Sequence, residues 1–279
     1  MLLNQYRANI TSQHGENGIL AYLIRSFPAI PRTCLEVGAS DGLENSNTYP
    51  LWISGWRALL IEGGAKAYRR LQSNSAGYNV TTCNDLIEPT GTQSLDAIAT
   101  NHGFDEFGIA SIDIDSCDYW IFAHLQTRPA IVIIECNPDF PIRVSYHDPE
   151  GPSLLRHSAR AVAELGVRKG YRAIACTGPN VILMRGDMIA TNPDAVPNVP
   201  LHMLEDSAYA AGRSQWIVGA KPFSYRPVYK RPPNPAVRAY FEMRAAGLSA
   251  RAWLKGKGGS LGSISDTHRR HIEAHGLQL

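Results

Sequence analysis

A doubly wound α/β fold is the architecture this sequence predicts: a mostly parallel seven-stranded sheet whose last strand runs antiparallel, followed by a C-terminal extension. Three observations carry it. Of 279 residues, 44% are hydrophobic and 19% charged, enough apolar material for a full-sized core. Short aliphatic and β-branched runs alternate with helical patterns, the sequence form of a parallel sheet covered by helices. The final two runs are separated only by Thr177-Gly178-Pro179-Asn180, which suits a hairpin and has no room for a crossover helix.

Taken in order, the first helical pattern covers 16–27 and leads to a strand at 33–37. A helix at 46–54 then precedes a strand at 57–62, built on Leu59-Leu60-Ile61. Helix 66–73 precedes strand 78–83, helix 95–101 precedes strand 109–113, and helix 118–126 precedes the most apolar strand, 130–136, around Ile131-Val132-Ile133-Ile134. A helix over 154–169 leads into the hairpin of 171–176 and 181–185. The Rossmann-like domain is expected to span 1–190. Prolines at 193, 197, 200, 222, 227, 232, 233 and 235 break regular elements, so 191–279 reads as a proline-rich wrap followed by a basic amphipathic helix over 236–254.

Charge divides the chain at nearly the same place. Residues 1–220 hold 16 Lys and Arg against 22 Asp and Glu, and residues 221–279 hold 11 against 3, so a body of net −6 joins a tail of net +8. Arg238, Arg244, Arg251, Lys255 and Lys257 interleave with Tyr240, Phe241, Leu248, Trp253 and Leu254. Such a helix holds an anionic glycan, lipid headgroups or nucleic acid, or packs its apolar face on the body or a second subunit. The aromatic content favours packing, so nucleic acid is not the expected partner and a homo-oligomer stays open. The polar start lacks the apolar core of a signal peptide, and no apolar run approaches the ~20 residues of a membrane span. Five cysteines without CxxC spacing indicate neither a disulfide framework nor a zinc site. A cytoplasmic protein with reduced thiols is expected.

The residues able to do chemistry follow the strands. Glu36-Val37-Gly38-Ala39-Ser40-Asp41-Gly42 closes the first strand, where glycines let backbone N–H groups approach a ligand. A dinucleotide GxGxxG and a phosphate-binding GK[ST] are both absent. Glu62 ends the second strand and is placed to accept both hydroxyls of a ribose, or else is a solvated carboxylate. Asn84 and Asp85 end the third strand and are placed to meet an adenine edge. Asp113, Asp115 and Asp118 crowd three carboxylates behind the fourth strand, with Glu135 and Asn137 behind the fifth. Such a group is costly unless a cation or a proton neutralises it; Asp118 alternatively caps the helix that follows.

Taken together, these strand ends resemble the class I S-adenosylmethionine-dependent methyltransferases, and more specifically their FkbM-type branch. The branch resemblance rests on Ser12-Gln13-His14-Gly15-Glu16-Asn17-Gly18, on Glu36 to Gly42 with Glu44-Asn45-Ser46-Asn47-Thr48, on Gly55-Trp56-Arg57 and Ile61-Glu62-Gly63, and on Ser111-Ile112-Asp113-Ile114-Asp115 with Asp118-Tyr119-Trp120. It spans about residues 12 to 188. It implies O-methylation of a carbohydrate or other hydroxyl-bearing small molecule, with Glu36, Gly38, Asp41, Gly42, Glu62, Asn84, Asp85 and Asp113 holding S-adenosylmethionine. Gln13 and Glu16 border the site, unless Glu16 only charges the first helical turn. The acidic group is also similar to that of metal-dependent O-methyltransferases, which implies Mg²⁺ on Asp113, Glu135 and Asn137. A hydroxyl acceptor needs a base or Lewis acid at the attacking oxygen, and the candidate bases are Asp115 and His147. Rival readings are an N-methyltransferase and a non-catalytic binding module on the same fold.

Overall fold

The computed structural model describes residues 2–204 apart from 139, 141, 152 and 154. The basic helix expected over 236–254, and most of the proline-rich wrap, lie outside the described residues. The seven strands are β1 (Thr33–Val37), β2 (Arg57–Ile61), β3 (Val80–Cys83), β4 (Ile109–Ile112), β5 (Ile131–Glu135), β6 (Tyr171–Cys176) and β7 (Asn180–Arg185). They form one sheet in the order β3-β2-β1-β4-β5-β7-β6. The five strands from β3 to β5 are parallel, and β7 runs antiparallel to both β5 and β6. The antiparallel final pair is the one that the hairpin spacing at 177–180 anticipates.

The sheet separates two cores by its period-two alternation. Leu35, Val37, Leu59, Ile61, Ala110, Ile112, Val132 and Ile134 face α4 (Leu95–Asn101), α5 (Asp118–His124) and α6 (Ala159–Arg168). Cys34, Ala58, Leu60, Ile109, Ile131 and Ile133 face α1 (Glu16–Ser26), α2 (Tyr49–Trp52), α3 (Ala65–Asn74) and α7 (Gly186–Thr191). Ala195 and Val196 are buried in the second core and Leu204, in α8 (Leu201–Leu204), in the first, so packing continues past residue 190. Among the described residues no helix is long and apolar enough to cross a membrane. Cys34, Cys83 and Cys176 are buried within strands and Cys136 just past β5, and burial pushes the Cys34 thiol well up.

Two helices start several residues later than their patterns suggest, for local reasons. The helix expected over 46–54 forms only at Tyr49–Trp52, because Ser46, Asn47 and Thr48 bond instead to Glu36, and Ser46 Oγ accepts the Tyr49 N–H at 2.9 Å. The helix expected from 154 starts at Ala159, capped by Ser158, whose hydroxyl accepts the Ala161 N–H at 3.2 Å. The preceding residues pair elsewhere, through an antiparallel bridge between His157 and His147.

Candidate active site

The carboxyl ends of β1 and β4 lie side by side where the strand order reverses, the place at which parallel α/β sheets open a crevice. Gly38 sits there, exposed, with φ 79°; a Cβ on it would lie 1.8 Å from the Asp113 carbonyl oxygen. Both the left-handed backbone and the close approach demand glycine. Next to it, Glu62 reaches back from β2: Oε2 accepts the Ser40 N–H at 2.8 Å and Oε1 the Gly64 N–H at 2.6 Å. A carboxylate offers about four lone-pair directions, so Glu62 keeps acceptor capacity for a pair of hydroxyls. Asn84 donates to the Glu62 carbonyl at 2.6 Å, and Asp85 accepts the Cys83 thiol at 3.0 Å, which places both at the end of β3 beside it.

Three of the expected cofactor residues serve the loop itself. Glu36 is buried and accepts from the Ser46 hydroxyl at 2.6 Å, the Asn47 N–H at 2.7 Å and the Thr48 hydroxyl at 2.7 Å. Burial raises its carboxyl and those hydrogen bonds oppose the rise. Asp41 accepts the Leu43 and Glu44 N–H groups at 3.0 and 2.9 Å, a side-chain turn. Gly42 is buried with φ 84°, a Cβ there would lie 2.8 Å from Leu71, and its N–H goes to the Ala39 carbonyl. Through these bonds the three residues shape the turn that carries Gly38.

The amino-terminal motif braces the same turn from below. Asn17 Oδ1 accepts the N–H groups of Ile10, Thr11 and Ser12, and its amide donates to the Ser46 and Asn47 carbonyls. Asn47 in turn donates to the Ser111 hydroxyl on β4 at 3.0 Å. Glu16 is fully buried rather than a solvated first-turn charge; it accepts from Thr177, from Asn180 at 2.8 Å and from the His14 N–H at 2.9 Å, tying the motif to the β6–β7 hairpin.

The acidic group is real: one oxygen each from Asp113, Asp115 and Glu135 lie within 4.8 Å of one another. Water reaches Asp113, yet the packed atoms around it withdraw its carboxyl from bulk solvent; that burial, followed by the Asp115 and Asp118 charges, pushes it up to about 7. Burial first, and the Asp113 charge second, raise Glu135 well above the usual carboxylate range, and the Arg156 guanidinium opposes the rise. Asp118 closes the loop before α5, accepting the Ile114 and Ser116 N–H groups at 2.7 and 3.0 Å; burial pushes it up to about 6. The cap expected of it is therefore made on the preceding loop, not on the helix.

One residue at this site goes unmarked in the motifs. Arg156 Nη1 donates to Asp115 Oδ1 at 2.9 Å and to Glu135 Oε2, a guanidinium whose side chain is 10% exposed. Asn137, expected as the third metal ligand, donates its amide to the Leu155 carbonyl at 3.1 Å and its N–H to the His157 carbonyl at 2.8 Å, so it ties β5 to the loop that carries Arg156. As a magnesium site the group fits poorly: Arg156 already bridges two of the three carboxylates.

The loop over 145–158 is organised by Asp148, also unmarked. It accepts the Tyr146 hydroxyl at 2.8 Å and the N–H groups of Leu155 and Arg156 at 2.9 and 2.7 Å, and its carbonyl accepts the Trp120 indole N–H at 3.0 Å. His147 stacks on Tyr119 with ring centroids 4.3 Å apart, and its Nδ1 lies 3.0 Å from the Asp148 carbonyl. Its ring is thereby placed against α5, while the carboxylates are met by Arg156. His157 Nε2 lies 2.6 Å from the Glu135 carbonyl; burial, then Arg156, pushes the imidazole down to about 3, so it is neutral and donates there.

No family model and no curated protein matches the chain. Solved structures do. An S-adenosylmethionine-bound amino pentose methyltransferase from Micromonospora echinaspora, of calicheamicin biosynthesis, is 10% identical with a TM-score of 0.41, over 63% of this chain and 92% of that one. The CcbJ methyltransferase of Streptomyces caelestis is 12% identical with a TM-score of 0.41, over 62% and 90%. Magnesium protoporphyrin IX methyltransferase from Synechocystis, with bound S-adenosylmethionine, is 12% identical with a TM-score of 0.40, over 61% and 77%. At these scores the fold rests on the strand order itself.

Proposed function

We propose that the chain is an S-adenosylmethionine-dependent O-methyltransferase of FkbM-like type, acting on a hydroxyl of a sugar or glycan-type acceptor. The observation that carries the reading is the convergence of Gly38, Glu62 and Asp113 on one crevice, where β1 and β4 diverge. Glu62 holds the ribose hydroxyls, Asp85 faces the adenine side, and the exposed Gly38 leaves room for the cofactor's backbone to lie across the strand ends. When bound, S-adenosylmethionine supplies an electrophilic sulfonium methyl. Asp113 is water-accessible and held near neutrality, which suits a group that takes the proton of an acceptor hydroxyl. It replaces Asp115 and His147 in that role, since Asp115 is paired with Arg156 and His147 is stacked on Tyr119.

The test is incubation of the purified protein with methyl-labelled S-adenosylmethionine and panels of free sugars, nucleotide sugars and amines. Label on a sugar oxygen supports the reading. Label on an amine nitrogen makes the protein an N-methyltransferase, cofactor binding without transfer to any panel makes it a binding module, and absence of cofactor binding overturns the assignment.

A further inference from the structure

We infer that Arg156 is the built-in cation of the Asp113–Asp115–Glu135 group, occupying by a fixed guanidinium the place a divalent metal would need, so that the native group binds no divalent metal. The inference concerns cation occupancy and holds whether or not the chain transfers a methyl group.

Three carboxylates whose oxygens lie within 4.8 Å of one another must be neutralised by something. A metal would do so by drawing several oxygens toward one centre at about 2.0–2.6 Å. Arg156 does so differently: one nitrogen, Nη1, bonds Asp115 and Glu135 at once. Its position is built rather than incidental. The Arg156 backbone is left-handed, φ 65°, a conformation that a long side chain adopts only at a cost, and Asp148 holds it there by accepting its N–H at 2.7 Å. Asp115, the partner carboxylate, is left-handed as well, φ 59°. Asn137 donates its amide to the Leu155 carbonyl at 3.1 Å and so fastens the loop that presents Arg156 to the end of β5. Guanidinium and metal would compete for the same two carboxylates, and the desolvated guanidinium is tethered where the metal must be recruited from solution.

The probe is Mn²⁺, followed by its electron paramagnetic resonance signal and by thermal shift, on the full chain and on R156Q, R156A and E135Q/R156Q. The native protein is expected to leave Mn²⁺ free in solution. R156Q and R156A are expected to bind it at least about tenfold more tightly, because three acidic ligands are then left without the guanidinium, and E135Q/R156Q to lose that gain. Should the single variants fold only when Mn²⁺ is added, the metal has replaced the guanidinium and the inference stands. Saturable Mn²⁺ binding by the native protein that E135Q removes would overturn it. Single variants that neither bind Mn²⁺ nor fold in its presence would overturn it equally.

Discussion

Asp115 Oδ1 lies 2.9 Å from Arg156 Nη1, and both residues hold left-handed backbones, so two separate loops are bent to bring this pair together above β5. If the guanidinium and not a metal compensates the acidic group, methyl transfer proceeds in excess EDTA at its ordinary rate. R156K keeps the charge but replaces a planar fork by a point charge, and turnover is expected to fall by about tenfold or more with cofactor affinity unchanged. Titration calorimetry beside steady-state kinetics separates the two quantities. EDTA-sensitive turnover restored by Mg²⁺ would restore the metal reading.

Glu62 joins the turn after β1 to the end of β2 while keeping acceptor capacity toward the crevice. Removing it in E62A deletes the ribose acceptor, and a hydrogen bond involving a charged group is worth roughly 1.5–3 kcal/mol. Affinity for S-adenosylmethionine or its demethylated product is therefore expected to drop at least about tenfold. Since E62A also frees the Ser40 and Gly64 N–H groups, circular dichroism and melting are read alongside; an unchanged affinity in a folded variant would remove Glu62 from the cofactor site.

Glu36 lies one layer deeper, and its substitution reads on stability. In E36A the Ser46 hydroxyl, the Asn47 N–H and the Thr48 hydroxyl all lose their acceptor inside the protein. Unfolding free energy is expected to fall by about 2–4 kcal/mol, since each unsatisfied buried donor costs about 1–3 kcal/mol before relaxation. Chemical denaturation checks this, and a loss below about 1 kcal/mol would show the turn to be held by something else.

How much of this is legible in the sequence follows from what each signal depends on. The strands were readable because aliphatic runs such as Ile131-Val132-Ile133-Ile134 answer to burial alone, and the hairpin because four residues cannot make a crossover. The carboxylates were readable as a group because adjacent strands of a parallel sheet bring their C-terminal ends to one edge. Arg156 was not, because it enters 21 residues after Glu135 through a loop whose course depends on Asp148. The one available signal is electrostatic: three acidic residues in a tight cluster, with no cation nearby in sequence, require one from elsewhere in the chain. The partners of Glu36 are illegible for a related reason: its period-two position on β1 points it into the α1–α2 face, where Ser46, Asn47 and Thr48 reach it through a turn that the helical pattern over 46–54 hides.

His157 gives the fold a pH dependence whose sign can be worked out. Its imidazole is pushed down from 6.5 to about 3, so between those values the unfolded chain carries a proton that the native protein refuses. Stability contributed by the neutral ring is complete above 6.5 and is lost as pH falls toward 3. Asp118 acts in the opposite sense, its carboxyl being raised from 3.8 to about 6, so its contribution is lost as pH rises through that window. A single unfolding profile mixes these with the raised Asp113 and Glu135 carboxyls, but H157Q isolates the histidine: the amide keeps a donor for the Glu135 carbonyl and has nothing to titrate. Urea midpoints measured across the acid range are expected to fall more steeply for the native protein than for H157Q. The difference in slope is at most about 1.4 kcal/mol per pH unit, the limit for one proton, and vanishes above pH about 6.5. Parallel profiles for the two proteins over that range would mean that the ring is already protonated in the fold, and the hydrogen bond to Glu135 would then have to be that of an imidazolium.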